Sequence, residues 1–103
     1  MKTPEAKVKS QCVAQLKALG AYYFYPIGSA YMASGVPDIV VCYRGLFIGI
    51  ECKAGKNKPT ALQEKNLNDI RIAGGFPLVI NETNVGMLTQ WLLDHAQRCC
   101  GEL

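Results

Sequence analysis

Two acidic side chains and a lysine at one end of a predicted β-hairpin are the residues of this chain best suited to do chemistry. Asp38 opens one apolar, β-branched run, and Glu51 and Lys53 close the next run. Only Arg44-Gly45 separates the two runs, which predicts a hairpin with a short turn. A turn centred on that dipeptide places Asp38 directly across from Glu51.

This register predicts a cation site. Directly opposed side chains in a hairpin point to the same face, with Cβ atoms ~4.5–5.5 Å apart. Two carboxylates in that position repel each other unless a cation lies between them. Lys53 lies two residues beyond Glu51, so strand alternation brings its ammonium to the same face. Gly49 also lies on this face and leaves space beside Glu51.

An ordinary structural role is the alternative for these three residues. Asp38 would then cap the start of a strand, while Glu51 and Lys53 would form an ion pair. The run Leu46 to Ile50 is apolar on both faces, as in a strand covered on both sides. Because charges at the end of a covered strand are costly to bury, the conjunction of all three favours a functional site.

The surrounding pattern predicts an α/β fold, a mixed central β-sheet flanked by helices, in the order α-β-β-β-α-β-α. Thr3-Pro4 begins the first helix and Gly20 ends it. A capping box from Thr60 to Gln63 begins the second helix, and Gly74-Gly75 ends it. The predicted helices are about Pro4 to Leu19, Thr60 to the Gly-Gly pair, and about Asn84 to Cys99; the predicted strands are Tyr22–Tyr25, Asp38–Tyr43, Leu46–Lys53 and Phe76–Ile80, with a loop from Ile27 to Pro37.

Length and composition limit the possible classes. The 103 residues fit one domain, residues 1–103. A net charge of +3 is too weakly basic to identify a nucleic-acid binder by itself. The chain has five cysteines and a single histidine, and their spacing does not match that of zinc ligands, so a structural zinc site is not expected. We expect the cysteines to be reduced thiols. We expect no signal peptide, no membrane span and a cytoplasmic location.

The full set of motifs resembles the PD-(D/E)xK nuclease superfamily, and within it the VRR-NUC (virus-type replication-repair nuclease) domains. The resemblance covers about residues 4 to 81. Its motifs are a first helix opening with Glu5, then Gly35-Val36-Pro37-Asp38, Phe47-Ile48-Gly49-Ile50-Glu51-Cys52-Lys53, a basic loop, a helix with Gln63, and Ala73-Gly74-Gly75 before a strand.

The resemblance implies a restriction-endonuclease-like core and a Mg²⁺ site, with Mn²⁺ as a possible substitute. The implied metal ligands are Asp38, Glu51, the backbone carbonyl of Cys52, and Glu5. The implied catalytic residues are Asp38, Glu51, Lys53, Gln63 and Glu5.

Glu5 and Gln63 also have structural interpretations. Glu5 could pair with Lys9 one helical turn later, at the positive end of the helix. Gln63 could serve only as the N3 residue of the capping box with Thr60.

Lysines near the motif are candidates for contacts to DNA phosphates. Lys56 and Lys58 lie in the loop after the motif, and Lys7 and Lys9 on the first helix are weaker candidates. The aromatic run Tyr22 to Tyr25 could stack on bases, but in a small domain it is more typical of core.

Stand-alone VRR-NUC domains of this length resemble phage or prophage proteins, which implies a bacterial or phage-infected cell. They are similar to Holliday-junction resolvases, which act as homodimers on four-way DNA. Met87 and Trp91 give the last helix additional apolar surface for a partner. One alternative is a monomeric nuclease of the same superfamily that acts on flaps, nicks or duplex ends. Another is a non-catalytic DNA-binding module on the same fold.

Overall fold

A computed structural model describes the backbone of residues 3–27 and 35–99, and side chains as far as residue 96. The elements are helix α1 (Pro4–Leu19), strands β1 (Tyr22–Phe24), β2 (Ile39–Tyr43) and β3 (Leu46–Cys52), helix α2 (Ala61–Ile72), strand β4 (Phe76–Ile80), a 3₁₀ turn (Val85–Met87) and helix α3 (Leu88–Cys99). The predicted order of elements is confirmed. Most of the predicted loop from 27 to 37 lies outside the described residues.

The four strands form one mixed sheet in the order β1-β2-β3-β4. β1 and β2 pair antiparallel, as do β2 and β3, whereas β3 and β4 pair parallel. A parallel pair needs a long crossover connection, and here α2 supplies it. The carboxyl ends of β3 and β4, the start of β2 and the start of α2 therefore lie at the same edge of the sheet.

The turn between β2 and β3 fixes their register. Arg44 and Gly45 both have positive φ, at 48° and 84°. Positive φ at both central residues is the signature of a type I′ turn, whose twist matches that of the flanking strands. The ladder then runs from Tyr43 opposite Leu46 to Ile39 opposite Ile50, which is the predicted register.

The hydrophobic core lies on one face of the sheet, beneath α1 and α3. α1 buries residues at helical spacing and β2 buries every second residue, whereas β3 is buried at every position except Phe47 because both of its faces are covered. The core residues are Val8, Cys12, Leu16, Ile39, Val41, Tyr43, Leu46, Ile48, Ile50, Cys52, Ile80, Val85, Leu88, Leu92 and Ala96. α2 packs on the opposite face, where Ile70 approaches Gly49.

Both ends of α1 follow the predicted signals. The side chain of Thr3 accepts a hydrogen bond from the Ala6 N–H at 3.1 Å. Gly20 is left-handed, with φ 74°, and its N–H donates to the last carbonyls of the helix. In the part of the chain that the structure describes, no helix is both long and apolar enough to cross a membrane.

The last helix departs from prediction at its start. A 3₁₀ turn precedes α3, which begins at Leu88. Asn84 does not cap the helix, because its side chain accepts from the Asn81 N–H at 2.8 Å and donates to the Val79 carbonyl at 3.1 Å. Gly86 has low helix propensity, which is consistent with the tighter turn.

Trp91 is not spare apolar surface. It is half-buried and stacks on His95, with ring centroids 3.8 Å apart, and its ring meets Phe76 edge-on at 5.4 Å. His95 Nδ1 donates a hydrogen bond to the Trp91 carbonyl at 2.8 Å, so it has a structural role. Met87 remains 67% exposed.

The interpretation of the first strand as core is wrong for most of its aromatic residues. Tyr22 is 70% exposed, Phe24 48% and Tyr25 44%, while Tyr23 packs against the core. β1 is a three-residue edge strand, and the core covers one of its faces. Its other face is left open to solvent.

Candidate active site

Asp38 and Glu51 meet on the sheet face opposite the core. The ladder ends with Ile39 opposite Ile50, so Asp38 and Glu51 are the next opposed residues in this register, and alternation turns both side chains away from the core. Asp38 Oδ2 accepts a hydrogen bond from the Cys52 N–H at 2.8 Å, which holds the carboxylate against the end of β3. The predicted placement of the two carboxylates is confirmed.

Glu51 is the buried charged residue of the site, at 2% exposure. Its Oε2 lies 3.6 Å from Lys53 Nζ and accepts a hydrogen bond from Gln63 Nε2 at 2.9 Å. Its Oε1 is buried and has no hydrogen-bond partner among the described residues. A buried oxygen without a partner is costly in an apo protein, and a cation would satisfy it.

The environment of Glu51 opposes its ionisation. Burial, and then the negative charge of Asp38, raise the pKa of the Glu51 carboxyl to about 7, against a smaller opposing effect of Lys53. At neutral pH the Glu51 carboxyl can therefore bind either a proton or a cation. This is the behaviour expected of a carboxylate that binds a metal ion.

Gln63 is both a helix cap and a contact of the site. Its Oε1 accepts from the Thr60 N–H at 2.9 Å, and its backbone N–H donates to Thr60 Oγ1 at 3.2 Å. The cap fixes which way the amide points, and its Nε2 is left to donate to Glu51. The structural and the site interpretation of Gln63 both hold, because the same side chain makes both contacts.

Glycines bring α2 close enough for this contact. Gly35 has φ 83°, and a Cβ there would lie 2.6–2.8 Å from the backbone of Leu62 and Gln63. A Cβ at Gly49 would lie 2.6 Å from Ile70 Cδ1 and 2.9 Å from Pro37 Cγ. The space beside Gly49 is thus filled by packing rather than left open at the site, and it lets α2 lie close to β3.

The loop after β3 is held at its start and exposed beyond it. Lys53 N–H donates to the Ile80 carbonyl at 2.9 Å, and Gly55 N–H donates to Glu82 Oε1 at 2.6 Å. Lys56 and Lys58 are exposed, so both ammonium groups are available to a phosphate. Sequence reasoning missed Glu82, although two parallel strands that end at one edge would have brought it near this loop.

Among the described residues, no hydrogen bond or ion pair joins the α1 candidates to this cluster. Glu5 is in the first turn of α1, which packs on the core face, opposite the face of Asp38 and Glu51. Lys7 is exposed, whereas Lys9 places its ammonium 4.3 Å from the centre of the Tyr25 ring. The structure does not join these three residues to the site, and their predicted roles stay predictions.

Comparison with solved structures gives an informative likeness. No protein-family model and no curated protein matches the chain. A solved structure described as "VRR_NUC domain" matches with a TM-score of 0.73 and 23% sequence identity, over 86% of this chain and 97% of that one. This chain has the fold of a VRR_NUC domain.

The VRR_NUC fold confirms the predicted resemblance and the predicted α/β architecture. The match spans nearly the whole of the solved domain, so the sheet and its helices are compared as one unit. At 23% identity the likeness is one of fold. The chemistry of this chain depends on its own residues at the site.

The residues present fit Mg²⁺. Within residues 3–27 and 35–96, no group of three or more His, Cys, Asp or Glu side chains is placed to hold a metal ion. Mg²⁺ does not need such a group, because it is commonly bound by one or two carboxylates, with water and substrate phosphate completing its shell. Asp38 and Glu51 supply two carboxylates, one with an unsatisfied oxygen.

Proposed function

We propose that this VRR_NUC-like chain is a Mg²⁺-dependent endonuclease that hydrolyses phosphodiester bonds of DNA. The observation that carries the proposal is the buried Glu51 carboxylate, which lies opposite Asp38 with one oxygen unsatisfied and the other held by Lys53 and Gln63. Burying a charge in this way is costly without a bound ligand. In a nuclease, a cation bound between the two carboxylates would offset that cost.

Each residue of the site has a role in this proposal. Asp38 and Glu51 hold the cation, and the carbonyl of Cys52 is a further ligand. When bound, Mg²⁺ supplies the Lewis acid that activates water and stabilises charge on a phosphate. Lys53, only 11% exposed at its side chain, orients the attacking water or neutralises the charge that develops on the phosphate.

Two further groups act through position. Gln63 holds the Glu51 carboxylate in place from the capped start of α2. Lys56 and Lys58 bind phosphates of the DNA without reading its sequence, since a lysine is a point charge for the backbone. Glu5, Lys7 and Lys9 lie on α1; in this proposal Glu5 would be a further ligand of the same cation, and the two lysines would bind DNA phosphates.

The direct test is a cleavage assay on four-way, flap and duplex DNA with Mg²⁺, with Mn²⁺ and with EDTA. We expect cleavage with metal and none in EDTA, and loss of cleavage in Asp38→Asn and Glu51→Gln. Glu64→Gln is the matched control, because Glu64 is an exposed acid in the first turn of α2. Near-wild-type cleavage by Asp38→Asn or Glu51→Gln would contradict the proposal.

A finer proposal is that the enzyme is a homodimer that resolves four-way junctions. A two-fold dimer places two sites on strands of like polarity with one gene product. The packing of Trp91 into the fold leaves Met87 as the main exposed apolar side chain at the start of the last helix. Sedimentation at micromolar concentration tests this, and a monomer that cuts flaps or duplex ends but spares junctions would support the alternative.

A further inference from the structure

Three exposed aromatic rings lie on the same sheet face as the candidate active site. Tyr22 is 70% exposed, Phe24 48% and Phe47 49%. None of them is needed for the core, which lies on the other face of the sheet. Exposed aromatic surface of this kind marks a binding site more often than chance placement does.

The strand register assigns these rings to the active-site face. Tyr22 pairs with Cys42, which pairs with Phe47, and so these three residues form one row across the sheet. Phe24, Val40 and Gly49 form the next row. Asp38 lies two residues before Val40, and Glu51 lies two residues after Gly49, so strand alternation places both carboxylates on this same face.

The rows lie close to the carboxylates. At ~3.4 Å per residue, two residues advance about 7 Å along a strand. The row with Phe24 is therefore about 7 Å from the carboxylate pair, and the row with Tyr22 and Phe47 is about 14 Å from it. A nucleic acid bound at the site must pass over or beside this surface if it follows the direction of the strands.

The backbone spacing of the row with Cys42 matches the width that a flat group needs between two rings. Tyr22 and Phe47 are two strand spacings apart, which is about 9.6 Å, with the small exposed Cys42 between them. A flat ring that contacts an aromatic neighbour on each side at ~3.5–4.0 Å needs about 7–8 Å. The Tyr22 and Phe24 rings on β1 are 6.4 Å apart and tilted by 60°, so they are not stacked face to face on each other.

We propose that Tyr22, Phe24 and Phe47 form a stacking surface for unpaired bases of the nucleic acid whose phosphodiester lies at Asp38 and Glu51. The inference rests on the proposed function, since it takes nucleic acid as the ligand. In the two rows no side chain is acidic, and every base has a face that can stack on an aromatic ring. The favoured substrate then has single-stranded nucleotides next to the scissile bond.

The first test measures binding without cleavage. Fluorescence anisotropy with a labelled single strand, and with a duplex of the same sequence, is recorded in EDTA. We expect Tyr22→Ala, Phe24→Ala and Phe47→Ala each to weaken single-strand binding, on the order of fivefold to a hundredfold, with a smaller effect on the duplex. Ile72→Ala, which removes an exposed apolar side chain on α2 at 77% exposure, is the matched control and should bind as wild type.

A second set of variants separates stacking from general apolar contact. Tyr22→Phe keeps the aromatic face and should bind as wild type, whereas Tyr22→Leu keeps apolar volume and should bind as weakly as Tyr22→Ala. If leucine binds as well as phenylalanine, stacking is wrong. Circular dichroism of each variant shows whether it is folded.

The thiol of Cys42 provides a test that needs no substitution. Cys42 is exposed, whereas Cys12 and Cys52 are buried. Saturating single-stranded DNA should slow alkylation of Cys42 by iodoacetamide, read by peptide mass spectrometry. Unchanged alkylation would overturn the proposal, and so would protection that depends on protein concentration without DNA, because a second copy of the chain would then cover this surface.

The outcomes separate this proposal from the proposed nuclease function. A protein that binds single strands through these rings but cuts no DNA would refute the nuclease and support the stacking surface. A protein that cuts DNA with metal, and whose three ring variants bind single strands as wild type, would refute the stacking surface alone.

Discussion

Replacing Glu51 by glutamine removes a buried carboxylate while keeping its shape, and we expect the metal-free protein to become more stable at pH 8. The folded pKa of about 7 lies above the ordinary value of 4.5. That difference corresponds to about 3 kcal/mol between the folded and unfolded states when the group is ionised in both. Glutamine avoids this cost and can still accept the hydrogen bond from Gln63.

The sign of the pH dependence follows from the raised pKa. Between pH 4.5 and 7 the folded protein binds more protons at Glu51 than the unfolded chain, so the free energy of unfolding falls as pH rises through this window. The destabilisation is complete above pH 7 and relieved at low pH. The difference between Glu51→Gln and wild type should shrink to below about 1 kcal/mol near pH 5.

Urea unfolding in EDTA at pH 5 and pH 8 measures this difference directly. Glu64→Gln is again the control, because an exposed acid should give a small difference at both values. Mg²⁺ should stabilise wild type at pH 8 and stabilise Glu51→Gln less, since the cation relieves the same repulsion. If Glu51→Gln is less stable than wild type at pH 8, or if the difference does not change with pH, the inferred environment of this carboxylate is wrong.

Three other variants test the rest of the site. Lys53→Ala should reduce the cleavage rate on the order of a hundredfold or more, the scale for loss of one electrostatic stabiliser, as measured in single-turnover assays. Gln63→Leu should lower the cleavage rate and lower helix stability by about 1 kcal/mol, read by kinetics and by thermal unfolding, because the side chain serves both. The double variant Lys56→Ala with Lys58→Ala should flatten the salt dependence of DNA affinity by about one unit of slope per lost contact. Lys65→Ala, which removes an exposed lysine on α2, is the control. If the double variant and the control have the same salt slope, the phosphate contacts are contradicted.

The site was predictable from sequence where its geometry is local. The hairpin register depends on Arg44-Gly45 and on strand alternation, and both are readable within one short segment. The cap of α2 is local as well, because Thr60 and Gln63 are three residues apart. The contact between Gln63 and Glu51 could not be read this way, since it depends on how closely α2 approaches β3.

Burial was harder to predict, because it depends on elements distant in sequence. Tyr22 and Phe24 look like core residues by type, and their exposure results from the edge position of a short strand. Trp91 looks like spare surface by helical periodicity, but Phe76 and His95 enclose it. Glu82 had no motif to mark it, and only the parallel pairing of β3 and β4 brings it to the loop after the motif.

The hairpin and the helix after it make the site nearly continuous along the chain. Asp38 and its partner Cys52 are 14 residues apart, and Glu51 and Gln63 are 12 apart. Short separations cost little chain entropy to close, so this segment can assemble before strand β4, which follows α2 in the chain, joins the sheet. Insertions in the segments outside it, such as the turn between α1 and β1 at residues 20–21, would change the scaffold while leaving the arrangement of the carboxylates intact. A protein built this way can vary its edges and ends freely during evolution without rebuilding its chemistry.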